Sequence, residues 1–383
     1  MNFEYVLLIL FVVILSIFLY FERKKLSVQG KFPFIYFCMY RTKFGLNWMD
    51  KLSKTHPKIL NFLFKFGTIT GFLGMIFISI QLIIVTIKVL TSETAITAVT
   101  PVLPFEAKGV FYVPFSYWII SIFIIALVHE FAHGIASRVY KIPVKSSGFA
   151  FLGILLPIVP AAFVEPDEKL MPKKKLSEKL AIFAAGPFSN VIFAILFLLI
   201  TLFVFQPLHG MIAHEDGVLI GQVLPNSASL TAGLTENEIL KSINNQNFNN
   251  VESFQKIMNT LKPEQEIILQ PNKQAYTLKL GQHPEDSKKA YLGIMPKQNF
   301  TPTINSIAYK IFNWLFGLMF ILYLLNLGIG LFNLLPLGPL DGGRMLHELL
   351  QEYMPNYSLR IFSATSAFFL FIIIFHLFKT FVG

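Results

Sequence analysis

A single cysteine, Cys38, in 383 residues excludes any internal disulfide. It lies in a basic loop and says little about redox compartment. Charge is scarce as well, at 14% of residues, while 54% are hydrophobic and 15% aromatic. A mean hydropathy of +0.60 excludes an ordinary soluble globular domain and points to a polytopic membrane protein. Acidic residues are few, 22 against 32 Lys and Arg, a formal charge of +10. That excess does not point to nucleic acid, because no basic recognition motif is present and the cations cluster in short loops between apolar runs. No internal repeat or low-complexity tract breaks the pattern.

Six apolar runs are long enough to span a bilayer: about 5–21, 68–90, 115–137, 180–206, 307–332 and 359–380. The first is followed at once by Arg23, Lys24 and Lys25, the reverse of a cleaved signal peptide, so it reads as a retained helix with its N-terminus outside. Residues 22–66 carry ten Lys or Arg and residues 138–179 carry eight, which marks both as cytoplasmic. Within the second loop, residues 149–164 are apolar but short, and Gly153, Pro157 and Pro160 break any helix. A re-entrant or strand-like segment packed against protein is expected there, since irregular backbone is not tolerated in lipid.

Residues 207–302 are polar and show strand-like alternation at Val218–Leu224, then a helical stretch near Val251–Leu261. They resemble a PDZ domain. The departures are Ala228, where a proline usually follows the serine, and Glu236-Asn237-Glu238, where a Gly-Asp turn is usual. The expected fold is therefore mainly α: a membrane bundle of about six transmembrane helices plus a re-entrant segment, with an inserted α+β PDZ-like domain. The expected divisions are 1–114, a first catalytic half at 115–206, the insert at 207–302, and a second catalytic half at 303–383.

The most informative run is His129-Glu130-Phe131-Ala132-His133 in the third span. Two imidazoles four positions apart share one helix face and can reach one metal ion, and the glutamate between them can take a proton from metal-bound water. Unpaired ionisable groups at membrane depth are costly, which favours a functional reading. Catalytic zinc needs a third ligand and an open position. Asp341, in the Pro- and Gly-broken run Asn333–Gly343 after span five, offers a carboxylate at matching depth. The flanking glycines are expected to free the backbone to aim it. If 149–164 crossed the bilayer, Asp341 and the two histidines would lie on opposite faces and could not share an ion. An odd number of crossings must separate the end of span three from the start of span five, so the segment should not span, and the insert falls outside the cytoplasm.

HEFAH, the Asn-x-x-Pro-x-x-x-Leu-Asp-Gly run and the Ala-Gly-Pro-x-x-Asn run together resemble the site-2 protease family of intramembrane metalloproteases. The resemblance implies one Zn2+ on His129, His133 and Asp341, with Glu130 as catalytic acid/base. It also implies substrate-binding or supporting roles for Asn190 and Asn333, and membrane-protein substrates cut in or near their transmembrane segments to release regulators. The expected setting is the cell membrane, with the site near the cytoplasmic face. A transporter or channel would repeat polar residues along several spans, whereas here they concentrate at one depth. A non-catalytic scaffold built around the insert would not need Glu130.

Overall fold

The computed structural model describes residues 3–31, 35–92, 96–154, 156–271, 275–284 and 286–382. Two compact units divide the chain, Met1–Ile200 with Gly317–Gly383, and Thr201–Phe316.

The first unit opens with α1 (Phe3–Phe21), the hairpin β1 (Leu26–Lys31) and β2 (Ile35–Thr42), then α2 (Leu46–Thr55) and α3 (Pro57–Thr91). Short strands β3 (Val102–Leu103) and β4 (Phe111–Tyr112) precede α4 (Phe115–Val139). The hairpin β5 (Val144–Ile154) and β6 (Leu156–Pro166) follows, then α5 (Leu176–Ile200). The segment expected to be re-entrant or strand-like is this hairpin, with Leu155 outside the described residues. It joins a four-stranded antiparallel sheet of order β1-β2-β5-β6, which leaves β6 at an edge. An edge suits a strand holding Pro157, Pro160 and Pro166, which lack backbone donors.

In the second unit a π-helical turn at Thr201–Phe205 leads into α6 (Gln206–Ile212) and β7 (Ala213–Val223). Then come α7 (Ala228–Thr231), β8 (Ile239–Ile243), β9 (Gln246–Asn247), α8 (Val251–Met258), β10 (Glu266–Pro271) and β11 (Tyr276–Lys279). Strands β12 (Gly281–His283), β13 (Asp286–Tyr291) and β14 (Ile294–Pro302) complete it. The main sheet has the order β11-β10-β8-β7-β14. Alternate residues Ile267 and Leu269 of β10 face a core with Val218, Ile220, Leu240 and Ile243. Where glycine was missing from the 236–238 turn, Asn237 adopts φ 67°, a left-handed conformation that asparagine tolerates.

The chain returns to the first unit along α9 (Ser306–Asn333) and ends with α10 (Asp341–Tyr353) and α11 (Ser358–Val382). Among the described residues, six helical stretches are long and apolar enough to cross a membrane: α1, α3, α4, Leu176–Ile212, α9 and α11. Glycines on α3 let its neighbours approach. A Cβ on Gly67 would meet the Phe188 ring at 2.9 Å, and one on Gly74 would meet Leu334 at 2.6 Å. Two helices of more than eight residues were not anticipated, the amphipathic α2 inside the basic loop and α10 beginning at Asp341.

Candidate metal centre

His129 and His133 project from one face of α4, as their spacing requires. Asp341 is brought to them by the end of α9. Pro336 and Pro339 bar helical continuation, and the chain turns back so that Asp341 becomes the first residue of α10. The glycines after it do a different job from the one expected. Gly342 and Gly343 have ordinary helical conformations, but a Cβ on them would lie 2.1 Å from the Leu334 carbonyl oxygen and 2.4 Å from the Leu337 carbonyl carbon. They permit close approach of α10 to the preceding turn rather than unusual dihedrals.

The three candidate ligand atoms form a tight triangle. His129 Nε2 is 3.1 Å from His133 Nε2, and Asp341 Oδ2 is 3.0 Å from the first and 3.3 Å from the second. Among the described residues these side chains form the one group of three able to hold a metal ion. His133 and Asp341 are buried, and His129 keeps only 12% of its side chain exposed.

The surroundings fit an ion. His133 Nδ1 donates to the Ile182 carbonyl at 2.7 Å, which turns the Nε2 lone pair toward the triangle. Asn190, fully buried on α5, lies 3.2 Å from His129 Nδ1 through its amide nitrogen, while its Oδ1 is buried without a partner. Rotating that amide by half a turn lets Oδ1 accept from Nδ1–H and frees the His129 Nε2 lone pair in the same direction. Two lone pairs and a carboxylate then converge within about 3 Å, an arrangement that calls for a cation at its centre. A tetrahedral ion with bonds of about 2.0–2.1 Å spaces its ligand atoms by about 3.3 Å, close to the triangle found. Gly186 clears the room: a Cβ there would stand 2.3 Å from His133 Nε2 and 2.6 Å from His129 Nε2. Gly186, inside the Ala-Gly-Pro-x-x-Asn run, thus admits the two rings.

Glu130 lies beside the triangle, and its Oε2 accepts from the Val164 N–H of β6 at 3.0 Å. Histidines, Glu130 and Asp341 open into a cavity of about 840 Å3 lined also by Phe163, Val164 and Asn333. Asn333 ends α9, and its side chain has no hydrogen-bond partner among the described residues. Asn190 is not on the cavity wall; it stands behind His129.

The cavity rim also holds groups that the sequence did not single out: Arg344 one turn after Asp341, and Lys179 paired with Glu348. The Arg344 guanidinium sits 5.8 Å from the Phe183 ring centre. Its spacing of three from Asp341 on a helix was the available signal. It was hidden because the Asp-Gly-Gly run reads as a turn rather than a helix start.

Residues 117–375 match the sequence profile of Peptidase family M50. The uncharacterized protein MJ0971 of Methanocaldococcus jannaschii is 31% identical over 327 residues, covering 82% of this chain and 79% of that protein. A protein named "probable protease eep" from Enterococcus faecalis is 29% identical over 231 residues, 49% of this chain and 54% of that protein.

Proposed function

The chain belongs to peptidase family M50, and on that premise we propose that it is a zinc metalloendopeptidase of the site-2 type. It hydrolyses peptide bonds in or near the transmembrane segments of other membrane proteins, in regulated intramembrane proteolysis. The observation that carries this reading is the His129–His133–Asp341 triangle at the wall of the Glu130 cavity. That α4, which carries His129, Glu130 and His133, is apolar enough to span a membrane supports work inside the bilayer.

His129, His133 and Asp341 would hold the ion. Zinc bound there supplies Lewis acidity at the scissile carbonyl and a water of lowered pKa, near 7 rather than about 15.7. Glu130 Oε2 is fixed by the Val164 amide, which leaves Oε1 to take the proton of the attacking water. The same carboxyl then protonates the leaving nitrogen as the C–N bond breaks. Asn333, unpaired at the wall, binds a substrate peptide group, while Asn190 orients His129. A helix hides its peptide groups in its own hydrogen bonds, so the substrate unwinds before cleavage. The edge strand β6, whose Phe163 and Val164 line the cavity, accepts the extended chain as a further strand.

The inserted unit is read as a PDZ-like peptide-binding domain on the extracytoplasmic side, with the site near the cytoplasmic face of the cell membrane. A groove of about 560 Å3 between α8 and the start of β14, walled by Phe254, Met258, Tyr291 and Ile294, supports peptide uptake. The proposed partners are membrane-protein substrates and the bilayer, and nucleic acid is not among them.

The test is cleavage of a transmembrane reporter by the purified chain in vesicles, with zinc content measured on the same samples. Chelation should abolish cleavage and zinc should restore it. Glu130→Gln should retain zinc and lose about 10²–10⁴-fold in rate. A Glu130→Gln protein as active as wild type would reject the mechanism.

A further inference from the structure

The amphipathic helix α2 presents three distinct faces, and two of them are exposed, without a partner among the described residues. Leu46, Met49 and Ser53 form the buried face. Met49 reaches Gly134 on α4, where an added Cβ would meet its sulfur at 2.6 Å, and Asp50 pairs with Arg138 on the last turns of α4 at 2.7 Å. That contact fixes α2 beside the end of a candidate membrane span. A second such span, α3, starts only two residues after α2 ends.

The outward surface divides by chemistry. Trp48 and Leu52, four positions apart, stand 73% and 43% exposed, with Phe44 beside them at 56%. Lys51 and Lys54 occupy the neighbouring strip of the helix, flanked by exposed Lys43 and Lys58. None of these four lysines has a carboxylate partner among the described residues. The one acid on the helix, Asp50, is already neutralised by Arg138. An exposed tryptophan edge bordered by unpaired lysines, at the end of a span, matches the layered chemistry of a membrane surface. There apolar acyl chain, amphipathic ring level and anionic headgroup follow one another in depth.

We propose that α2 is an interfacial helix that inserts its Phe44–Trp48–Leu52 edge among acyl chains and rests its Lys51–Lys54 edge on acidic lipid headgroups. Charge decides between the occupants. A neutral apolar partner would leave the lysines unmatched, whereas phosphatidylglycerol-type headgroups match both strips at once. The inference does not rest on the peptidase reading; it requires only that the apolar helices lie in a bilayer.

The experiment uses the full chain in vesicles of phosphatidylcholine with or without phosphatidylglycerol. Brominated phosphatidylcholines carry the quencher either near the top of the acyl chain or near its methyl end. The quenching that disappears in Trp48→Phe isolates Trp48 from Trp118 and Trp314. Trp48 should be quenched more by the shallow bromine than by the deep one, and more by either than by aqueous iodide. Replacing phosphatidylglycerol by phosphatidylcholine, or making Lys51→Gln with Lys54→Gln, should reduce the shallow quenching. Each lysine near an acidic surface shifts the seated-to-unseated ratio about five-fold. Quenching from water, or shielding from both phases as by a protein partner, would overturn the proposal. So would shallow quenching indifferent to lipid charge and to both lysines.

Discussion

A methyl group added at Gly186 has no free space to enter, because His133 Nε2 and His129 Nε2 stand 2.3 and 2.6 Å from where its carbon would sit. Those nitrogens are the proposed ligands, so relief must come by displacing the rings. Gly186→Ala should therefore weaken zinc binding while leaving the fold intact, since the residue lies on a helix where alanine has the better intrinsic propensity. Metal content against helicity, measured on one preparation, separates these effects. Asn190 acts at one remove. Asn190→Leu removes the partner of His129 Nδ1 and should lower zinc affinity about 10–100-fold, as loss of an outer hydrogen bond to a ligating histidine does. Titration with a competing chelator reads that shift; unchanged affinity would remove Asn190 from the support of the site. Asn333→Leu makes the useful contrast, because its proposed partner is substrate rather than ligand.

Among the elements, the four-stranded sheet is tied together at one end by polar side chains. Arg41 of β2 donates to Glu165 of β6 through Nε and a terminal nitrogen at 2.7–3.1 Å, and its other nitrogen reaches Ser27 of β1. Ser146 of β5 donates to the same carboxylate. The Arg41 guanidinium holds the Glu165 carboxyl below its usual range against the opposing effect of burial. A carboxyl lowered on folding stabilises above its unfolded pKa, and that contribution disappears as pH falls through the folded value. Arg41→Gln should loosen β6 at neutral pH by about 0.2–1 kcal/mol, the range for a partly exposed pair. Its effect should fade in acid, where Glu165 is protonated in either protein. Amide exchange at residues 161–165, compared between the two proteins at each pH, checks this.

That sheet also shows what the sequence concealed. Six apolar runs announced six helices because length and hydropathy act locally. The 149–164 segment was legible as non-helical through Gly153, Pro157 and Pro160, but its partners were not. β2 pairs with β5 across a sequence gap of more than a hundred residues, from Tyr36 opposite Gly153 to Thr42 opposite Ser147. No local period encodes such a register. The helix α2 hid inside a stretch read for its lysines, and α10 hid behind two glycines that local propensity counts against a helix. The candidate ligands were easier to single out. Four-residue spacing is a helical property, and a buried carboxylate at the same depth is conspicuous in a chain so poor in acids. What reading the residues could not supply was the lining, namely the Ile182 carbonyl, the Val164 amide and the room that the missing Gly186 side chain leaves to the two rings, because backbone groups and absent side chains leave no compositional trace.

At the scale of the whole molecule, the second unit is connected in a way that allows its removal. Ala213 and Pro302 are register partners at the ends of β7 and β14, and Thr303 N–H donates to the Ile212 carbonyl at 2.8 Å. The chain thus enters and leaves the unit at neighbouring points, and a short Gly-Ser link in place of residues 214–301 should close the gap without strain. The unit has its own core, with Ile220, Leu240, Ile243 and Leu269 wholly buried in it. His129, His133 and Asp341 all belong to that first unit. Zinc content should therefore survive the deletion, whereas selection among substrates should change if the groove beside α8 sorts them. Reporters with an intact external domain and reporters already cut to a short external end make the comparison. Wild type should prefer one class, and the deleted form should cut both at similar rates. Retention of the wild-type preference would strip the inserted unit of a sorting role while leaving the metal centre unaffected.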